Sequence, residues 1–93
     1  MKAMEMSEDE EAVRHAIFLL NQIVEDTSIP RNIRRAANES VELLEKGEGT
    51  IASRAISVIM TLEDTSQDPN CPTYARTKIF KIQSLLAPLK DDV

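Results

Sequence analysis

The chain has 93 residues, which suits one compact domain and leaves little room for a deep private cavity. Its formal net charge of −5 argues against a nucleic-acid binder that uses its whole surface, because such domains are normally basic. A single cysteine excludes an internal disulfide, and no apolar run approaches the roughly 20 residues that span a bilayer. A cytoplasmic protein is therefore expected.

The first helix is predicted over residues 7–26, after a flexible leader at residues 1–6. Ser7 and Glu10 have the spacing of a capping box, in which each side chain accepts the backbone N–H of the other residue. The apolar positions then recur every three or four residues, as on one buried face of a helix. This stripe comprises Val13, Ile17, Leu20 and Val24.

The second helix is predicted over residues 29–46. Ser28 is the expected N-cap, and Pro30 suits the first turn because it has no amide hydrogen to leave unpaired. Gly47 and Gly49 end the helix, since glycine accepts the left-handed conformation common after a helix. The apolar stripe comprises Ile33, Ala37, Val41 and Leu44.

Two further helices are predicted in the second half. Thr50 is the expected N-cap of a helix over residues 51–65, and Asn70 the expected cap of a helix that Pro88 stops or kinks. Pro72 lies in the first turn of the fourth helix. The two stripes comprise Ile51, Ala55, Val58 and Leu62, then Ala75, Ile79, either Ile82 or Gln83, and Leu86.

An internal repeat organises these helices. The sequence EDTS at residues 25–28 recurs at residues 63–66, and each copy precedes a proline and then an arginine, Arg34 or Arg76. A repeat of about 40 residues is the length of a HEAT-type hairpin. The sequence thus predicts an all-α, four-helix array made of two duplicated HEAT-like hairpins. The helical domain would cover residues 7–88, as hairpins 7–46 and 50–88, followed by a polar tail at residues 89–93.

Two segments resemble the signatures of a known family. The sequences EDTSIPRNIRRA at residues 25–36 and DPNCPTYART at residues 68–77 are similar to motifs of an uncharacterised archaeal UPF-class family, UPF family one-forty-seven. Cys71 and Tyr74 depart from it, since Met and often His are expected there. The resemblance implies an archaeal cytosolic protein with a helical fold, and it implies no activity and no functional residue.

Four charged residues are candidates for a structural ladder at the hairpin corners. Arg34 and Arg76 lie near helix starts, and Asp26 and Asp64 near helix ends, so each charge is unfavourable for the helix dipole beside it. We predict that the two aspartates accept charge-assisted bonds from the two arginines, within a repeat or between repeats. A phosphate- or RNA-binding patch is the alternative, although the neighbouring carboxylates would repel phosphate.

The remaining reactive side chains do not form a recognisable site. His15 has no set of neighbours with metal-ligand spacing and is expected to be a solvated or edge residue. Cys71 is expected to be a half-buried structural residue and Met60 a core residue. No catalytic, metal-binding or cofactor-binding residues are predicted. An enzyme would require a concave pocket with convergent polar groups.

The predicted function is a small protein-interaction or adaptor module without catalytic activity, acting on a protein partner or by self-association. Two stacked hairpins would leave apolar residues such as Phe18, Ile59 and Phe80 with little cover, because repeats normally need three units to bury their faces. The alternative is an accessory nucleic-acid-binding protein using an edge formed by Arg31, Arg34 and Arg35. No membrane partner is expected.

Overall fold

The computed structural model describes residues 7–92, so the predicted leader at residues 1–6 lies outside the described residues. The architecture is all-α, with four helices packed compactly. The helices are α1 (Glu8–Val24), α2 (Arg31–Lys46), α3 (Ile51–Ser66) and α4 (Thr73–Leu86), and a 3-10 helix (Ala87–Asp92) follows α4. The four predicted helices are confirmed, each with ends within a few residues of the expected ones.

The helices form a ring in which each contacts two neighbours. Helix α1 packs against α2 and α4, and α3 packs against α2 and α4. Short loops join consecutive helices, which therefore run in opposite directions. In a stack of HEAT-like hairpins the first helices of the two hairpins would pack together, whereas here the extensive contacts run from α1 to α4 and from α2 to α3.

The core is aliphatic and lies inside this ring. The predicted stripe of α2 is fully buried, as is that of α4, where Ile82 rather than Gln83 faces the core. In α1 the buried face is centred on Leu20 and Ile23, and most of the predicted stripe is only half-buried. The buried arc of α1 is rotated around the helix from the predicted stripe, so Val13, Ile17 and Val24 lie at its edge. The buried residues of α1 are Ala16, Leu19, Leu20 and Ile23.

The N-caps predicted from the sequence are found at two of the four helix starts. Ser7 with Glu10 forms the predicted capping box, and the Thr50 hydroxyl accepts the N–H of Ser53. The predictions of side-chain caps at Ser28 and Asn70 were wrong. Both helices begin after a proline N-cap that has no side-chain hydrogen bond. A proline forces the preceding residue into extended backbone, which moves the helix start beyond the predicted cap.

The segment predicted as a polar tail is partly structured. Pro88 lacks an amide hydrogen, so the α-helical pattern cannot continue through it, and the chain tightens into the 3-10 helix. This helix packs against α3 and α4, and Leu89 is only 2% exposed. The predicted boundary at residue 88 is therefore corrected, because Leu89 belongs to the core.

Candidate functional site

The polar residues of the two repeated motifs meet at one end of the bundle. We call this region the loop end; it comprises the α1–α2 loop (residues 25–30), the α3–α4 loop (residues 67–72) and the first turns of α2 and α4. The Tyr74 hydroxyl donates to Asp26 Oδ2 at 3.0 Å and lies 2.7 Å from Ser28 Oγ. Asn32 Nδ2 donates to Asp68 Oδ2 at 2.8 Å. These contacts join the two loops and α4 across the bundle.

Asp26 is the centre of the first loop. Its Oδ1 accepts the backbone N–H of Ser28 at 2.9 Å and the Ser28 hydroxyl at 2.5 Å. The Ser28 hydroxyl bond is the main reason that the pKa of Asp26 lies below its ordinary value. The Ser28 N–H and the Tyr74 hydroxyl act in the same direction. Asp26 is therefore an anionic anchor of the loop at neutral pH.

Asp68 takes the same role in the second loop. Its Oδ1 accepts the backbone N–H of Asn70 at 2.8 Å, and its carbonyl accepts the N–H of Cys71 at 2.9 Å. In the first loop the carbonyl of Asp26 likewise accepts the N–H of Ile29 at 3.0 Å. Both loops thus contain a turn in which an aspartate bonds the backbone two residues later.

The predicted ladder arginines bind backbone carbonyl groups. Arg34 Nε donates to the carbonyl of Ile29 at 2.8 Å. Arg76 Nε donates to the carbonyl of Ser66 at 2.8 Å, and its Nη2 to that of Cys71 at 3.3 Å. Each guanidinium therefore supports the loop before its own helix. The predicted ladder instead had these two arginines donating to the two aspartates.

The ladder aspartates have separate surroundings. Asp26 lies in the loop after α1, whereas Asp64 is exposed within the last turn of α3. The identical EDTS sequences therefore occupy different structures, because α3 continues through Ser66 before its loop begins. Asp68, rather than Asp64, makes the same loop contacts as Asp26.

The other sequence candidates lie on α1, on α2 and in the α3–α4 loop. Arg31 and Arg35 are exposed on α2, beside the half-buried Arg34, so the three form an edge at the loop end. His15 is exposed on α1, as expected. Cys71 is 4% exposed, and burial raises the pKa of its thiol, which disfavours the nucleophilic thiolate.

A second feature is an apolar surface on α3 and α4, which we call the α3/α4 face. It comprises Ile56, Ile59, Met60 and Phe80. Phe80 is 50% exposed and lines a groove of about 400 Å³ with Ile59, whose side chain is half-buried. Ile56 and Met60 are also exposed on α3 but lie outside this groove, whose α3 side is lined by Ile59 and Glu63.

Sequence reasoning found part of this face. The prediction that Phe80 lacks cover is confirmed by its exposure, and so is that for Phe18 on α1. The prediction that Met60 is a core residue was wrong, because its side chain is 65% exposed. Its position two residues after Val58, on the side of α3 away from the buried stripe, was the available signal. Tyr74 and Asp68 were missed, since their partners are distant in sequence.

Another open groove lies at the opposite end of the bundle. It has a volume of about 620 Å³ and is lined by residues of α1, α2 and α3, including Val13, Leu44 and Ile51. Arg54, which also lines it, donates to the carbonyl groups of Leu44 and Thr50. No group of three or more His, Cys, Asp or Glu side chains in residues 7–92 has an arrangement that could hold a metal ion. In the same range no helix is long and apolar enough to cross a membrane.

These features define a small, all-α, four-helix protein with a bonded polar cluster at one end and an exposed apolar face. The chain belongs to the uncharacterised protein family UPF0147, whose family model matches residues 1–89. A UPF0147 protein of Saccharolobus islandicus is 48% identical over 89 residues, covering 95% of this chain and all of the relative. One of Desulfurococcus amylolyticus is 41% identical over 91 residues, covering 98% and 100%. The resemblance of the two motifs to this archaeal family is thus confirmed.

Two solved structures have the same fold. A crystal structure of a UPF0147 protein from Thermoplasma acidophilum matches with a TM-score of 0.82 and 28% identity, covering 88% of this chain and 96% of the other. The crystal structure of a protein of unknown function matches with a TM-score of 0.80 and 38% identity, covering 84% and 89%. The arrangement of helices is therefore also found in these two proteins.

Proposed function

We propose that this protein is a small, non-catalytic, cytoplasmic interaction module that binds a protein partner through the α3/α4 face. The supporting observation is the exposure of Met60 and Phe80, at 65% and 50%, on the two helices that form a groove lined by Phe80. Large apolar side chains clustered on the surface of a small protein are typical of an interaction site.

The distribution of surface residues supports this choice of face. The outward residues of the C-terminal half of α2 include Glu39, Glu42 and Glu45, and all three are exposed. The large apolar residues exposed in the described range lie on α1, α3 and α4. Carboxylates are depleted from the cores of protein interfaces, whereas aromatic residues and methionine are enriched there. The α3/α4 face fits that composition, and the outward surface of α2 with its three glutamates does not.

The alternative, nucleic-acid binding by the Arg31, Arg34 and Arg35 edge, has weaker support. The Arg34 guanidinium is already bonded to the carbonyl of Ile29. The carboxylates of Asp26 and Asp68 lie at the same loop end and would repel phosphate. A titration with RNA at low and high salt tests this alternative, which requires binding that weakens steeply as salt rises.

We further propose that the two hairpins derive from one duplicated hairpin, with residue n of the first matching residue n+42 of the second. The support is the shared set of loop contacts. Asp26 and Asp68 each bond the backbone two and three residues later, and Arg34 and Arg76 each donate to the carbonyl five residues earlier. The spacing differs from the EDTS repeat, which is offset by 38 residues.

Affinity purification with matched variants tests the proposed function. Tagged wild-type protein, a Met60→Ser/Phe80→Ser variant and a Phe18→Ser control are used to recover proteins from the lysate of the organism that makes the chain. We expect a protein that wild type and Phe18→Ser retain and that the double variant loses. Phe18 is a suitable control because it is equally exposed but lies on α1. Equal recovery by all three would overturn the proposal.

A further inference from the structure

We infer that residues 1–6 of the chain bind the open groove at the end of the bundle opposite the loop end, with Met4 and Met6 against its apolar lining. We call this the far-end groove. It is a different surface from the α3/α4 face, so the inference does not rest on the proposed function. It follows from the lining of the groove, from the position of Ser7 and from the composition of residues 1–6.

The far-end groove is lined by apolar residues from three helices. Leu44, near the end of α2, is only 3% exposed, whereas Val13 of α1 and Ile51 of α3 are half-buried and keep open surface. The groove volume of about 620 Å³ lies within the range of roughly 300–1,000 Å³ that is typical of binding pockets. A segment that covers these side chains removes apolar surface from water, which stabilises the covered state.

Hydrogen bonds at the helix ends hold the sides of the groove in place. The capping box of Ser7 and Glu10 orders the start of α1. Arg54 Nη1 donates to the carbonyl of Leu44 at 3.1 Å and so joins α3 to the end of α2. The groove is therefore preformed, and a segment that binds it loses little affinity to reordering of its sides.

The described residues begin at this groove. Ser7 lines it, and the Ser7 backbone is extended, with φ −67° and ψ 163°. Met4 precedes Ser7 by three residues and can reach about 10 Å from it, because an extended residue spans at most about 3.3–3.6 Å. Neighbouring packed helices lie about 8–10 Å apart. This reach therefore extends from α1 to Leu44 of the adjacent α2.

Residues 1–6 have a composition that suits an apolar groove. They contain three of the four methionines in the chain. Methionine is flexible and polarisable, so its side chain fills irregular apolar gaps. Alternate side chains of an extended segment lie on the same side. Met4 and Met6 can therefore contact the groove together while Glu5, between them, faces water.

A separate molecule is at a disadvantage in this groove. Residues 1–6 are joined to Ser7 at its edge, so they compete at the effective concentration of a short tether, which is about millimolar. The same six residues of a second copy are the main competitor, through an exchange of segments between two chains. The two arrangements differ in whether the contacts lie within one chain or between two.

Methyl NMR of the full chain tests the inference. The methyl groups of methionine, valine, leucine and isoleucine are labelled with carbon-13, and contacts are measured as nuclear Overhauser cross-peaks. We expect cross-peaks from Met4 and Met6 to the three apolar residues of the far-end groove. Met60 is the internal control, because it is 65% exposed and does not line this groove. Methyl groups of Met4 and Met6 that lack these cross-peaks, as that of Met60 should, would overturn the inference.

Matched variants and mixed labelling complete the test. Met4→Ser/Met6→Ser should lower the Tm by at least about 4 °C through the loss of apolar contacts, whereas Glu5→Ser should leave it unchanged. Equal Tm values for wild type and the double variant would overturn the inference. A second sample mixes chains labelled only at methionine with chains labelled only at valine, leucine and isoleucine. Loss of the cross-peaks in this mixture supports contacts within one chain, and their persistence would overturn the inference in favour of a second copy.

Discussion

Asp26 joins residues that are far apart in the sequence. Its carboxylate bonds Ser28 within the loop and Tyr74 at the start of α4, and Lys78 of α4 donates to Gln22 of α1 at 2.9 Å. Side-chain contacts thus complete the closure of the ring between α1 and α4. Hydrogen bonds that involve a charged group are the stronger class in folded proteins, so the ionisation of Asp26 affects this closure.

The charge of Asp26 predicts a dependence of stability on pH. Because its folded-state pKa lies below the ordinary value near 3.8, the contribution is present above that pH and is lost as the pH falls through the folded-state pKa. We expect wild type to have a higher Tm than Asp26→Asn near neutral pH, and the difference to shrink as the pH falls below the ordinary carboxyl range. Thermal unfolding followed by circular dichroism measures it.

The Ser28→Ala variant tests whether the Ser28 hydroxyl causes the lowered pKa of Asp26. Its hydroxyl supplies the largest lowering of the Asp26 pKa, so Asp26→Asn should cost less in the Ser28→Ala background than in wild type. A Tm difference between wild type and Asp26→Asn that persists unchanged at the lowest pH would contradict this account.

At the scale of helices and loops, the sequence predicted the elements better than their junctions. Capping boxes, apolar stripes and glycine breaks are local signals, so Ser7, Thr50 and the stripe of α2 were predictable. The glycine break was predicted only in part: Gly49 has a φ of 94°, which glycine adopts readily, but Gly47, the C-cap of α2, is extended with φ −66° and ψ 156°. The loop caps were not predictable from Ser28 or Asn70, since the turns depend on aspartate side chains and on bonds to the other loop.

The repeated EDTS sequence illustrates that identical residues need not adopt the same local structure. The second copy lies inside α3, where the Thr65 hydroxyl donates to the carbonyl of Thr61 and that of Ser66 to the carbonyl of Glu63. The same four residues are thus compatible with a helix or with the beginning of a loop, and tertiary packing decides between them. The face formed by Met60 and Phe80 was harder to predict because it depends on which helices become neighbours.

The arginine contacts predict the energetic importance of the loops. Arg34→Ala removes a charged donor from the carbonyl of Ile29 and should lower the free energy of unfolding by about 1–3 kcal/mol. Arg76→Ala should cost at least as much, because Arg76 bonds two carbonyl groups. Urea denaturation measures both losses. Arg31→Ala is the control, since Arg31 is exposed and its loss should stay below about 0.5 kcal/mol.

The Asp64→Ala variant distinguishes two roles for Arg76: donating to loop carbonyl groups, or pairing with an aspartate as the ladder predicted. If Arg76 acts on the loop carbonyl groups, removal of the exposed Asp64 side chain should have little effect on stability. A loss as large as that of Arg76→Ala would instead support the predicted pairing. Equal losses for Arg31→Ala and Arg34→Ala would contradict a specific role for Arg34.

At the scale of the whole molecule, the ring of four helices weakens the reason for expecting self-association. Self-association was predicted because two stacked hairpins leave faces uncovered. In the ring each helix has two neighbours, and the 3-10 helix adds Leu89 to the core. In the described range the large apolar residues still exposed on α3 and α4 are Ile56, Met60, Tyr74 and Phe80. The shortage of cover that motivated a second copy is therefore smaller than in two stacked hairpins.

Sedimentation equilibrium tests this choice directly. At tens of micromolar protein and about 0.1 M salt, where screening acts over about 10 Å, we expect the mass of one chain, 10.4 kDa. Raising the salt to about 1 M shortens the screening length to about 3 Å, so any weak pairing through the α3/α4 face should increase. Phe80→Ser should abolish that increase, whereas Phe18→Ser should not. A stable dimer already present at the lower salt, and lost in Phe80→Ser, would identify a second copy as the occupant of the face.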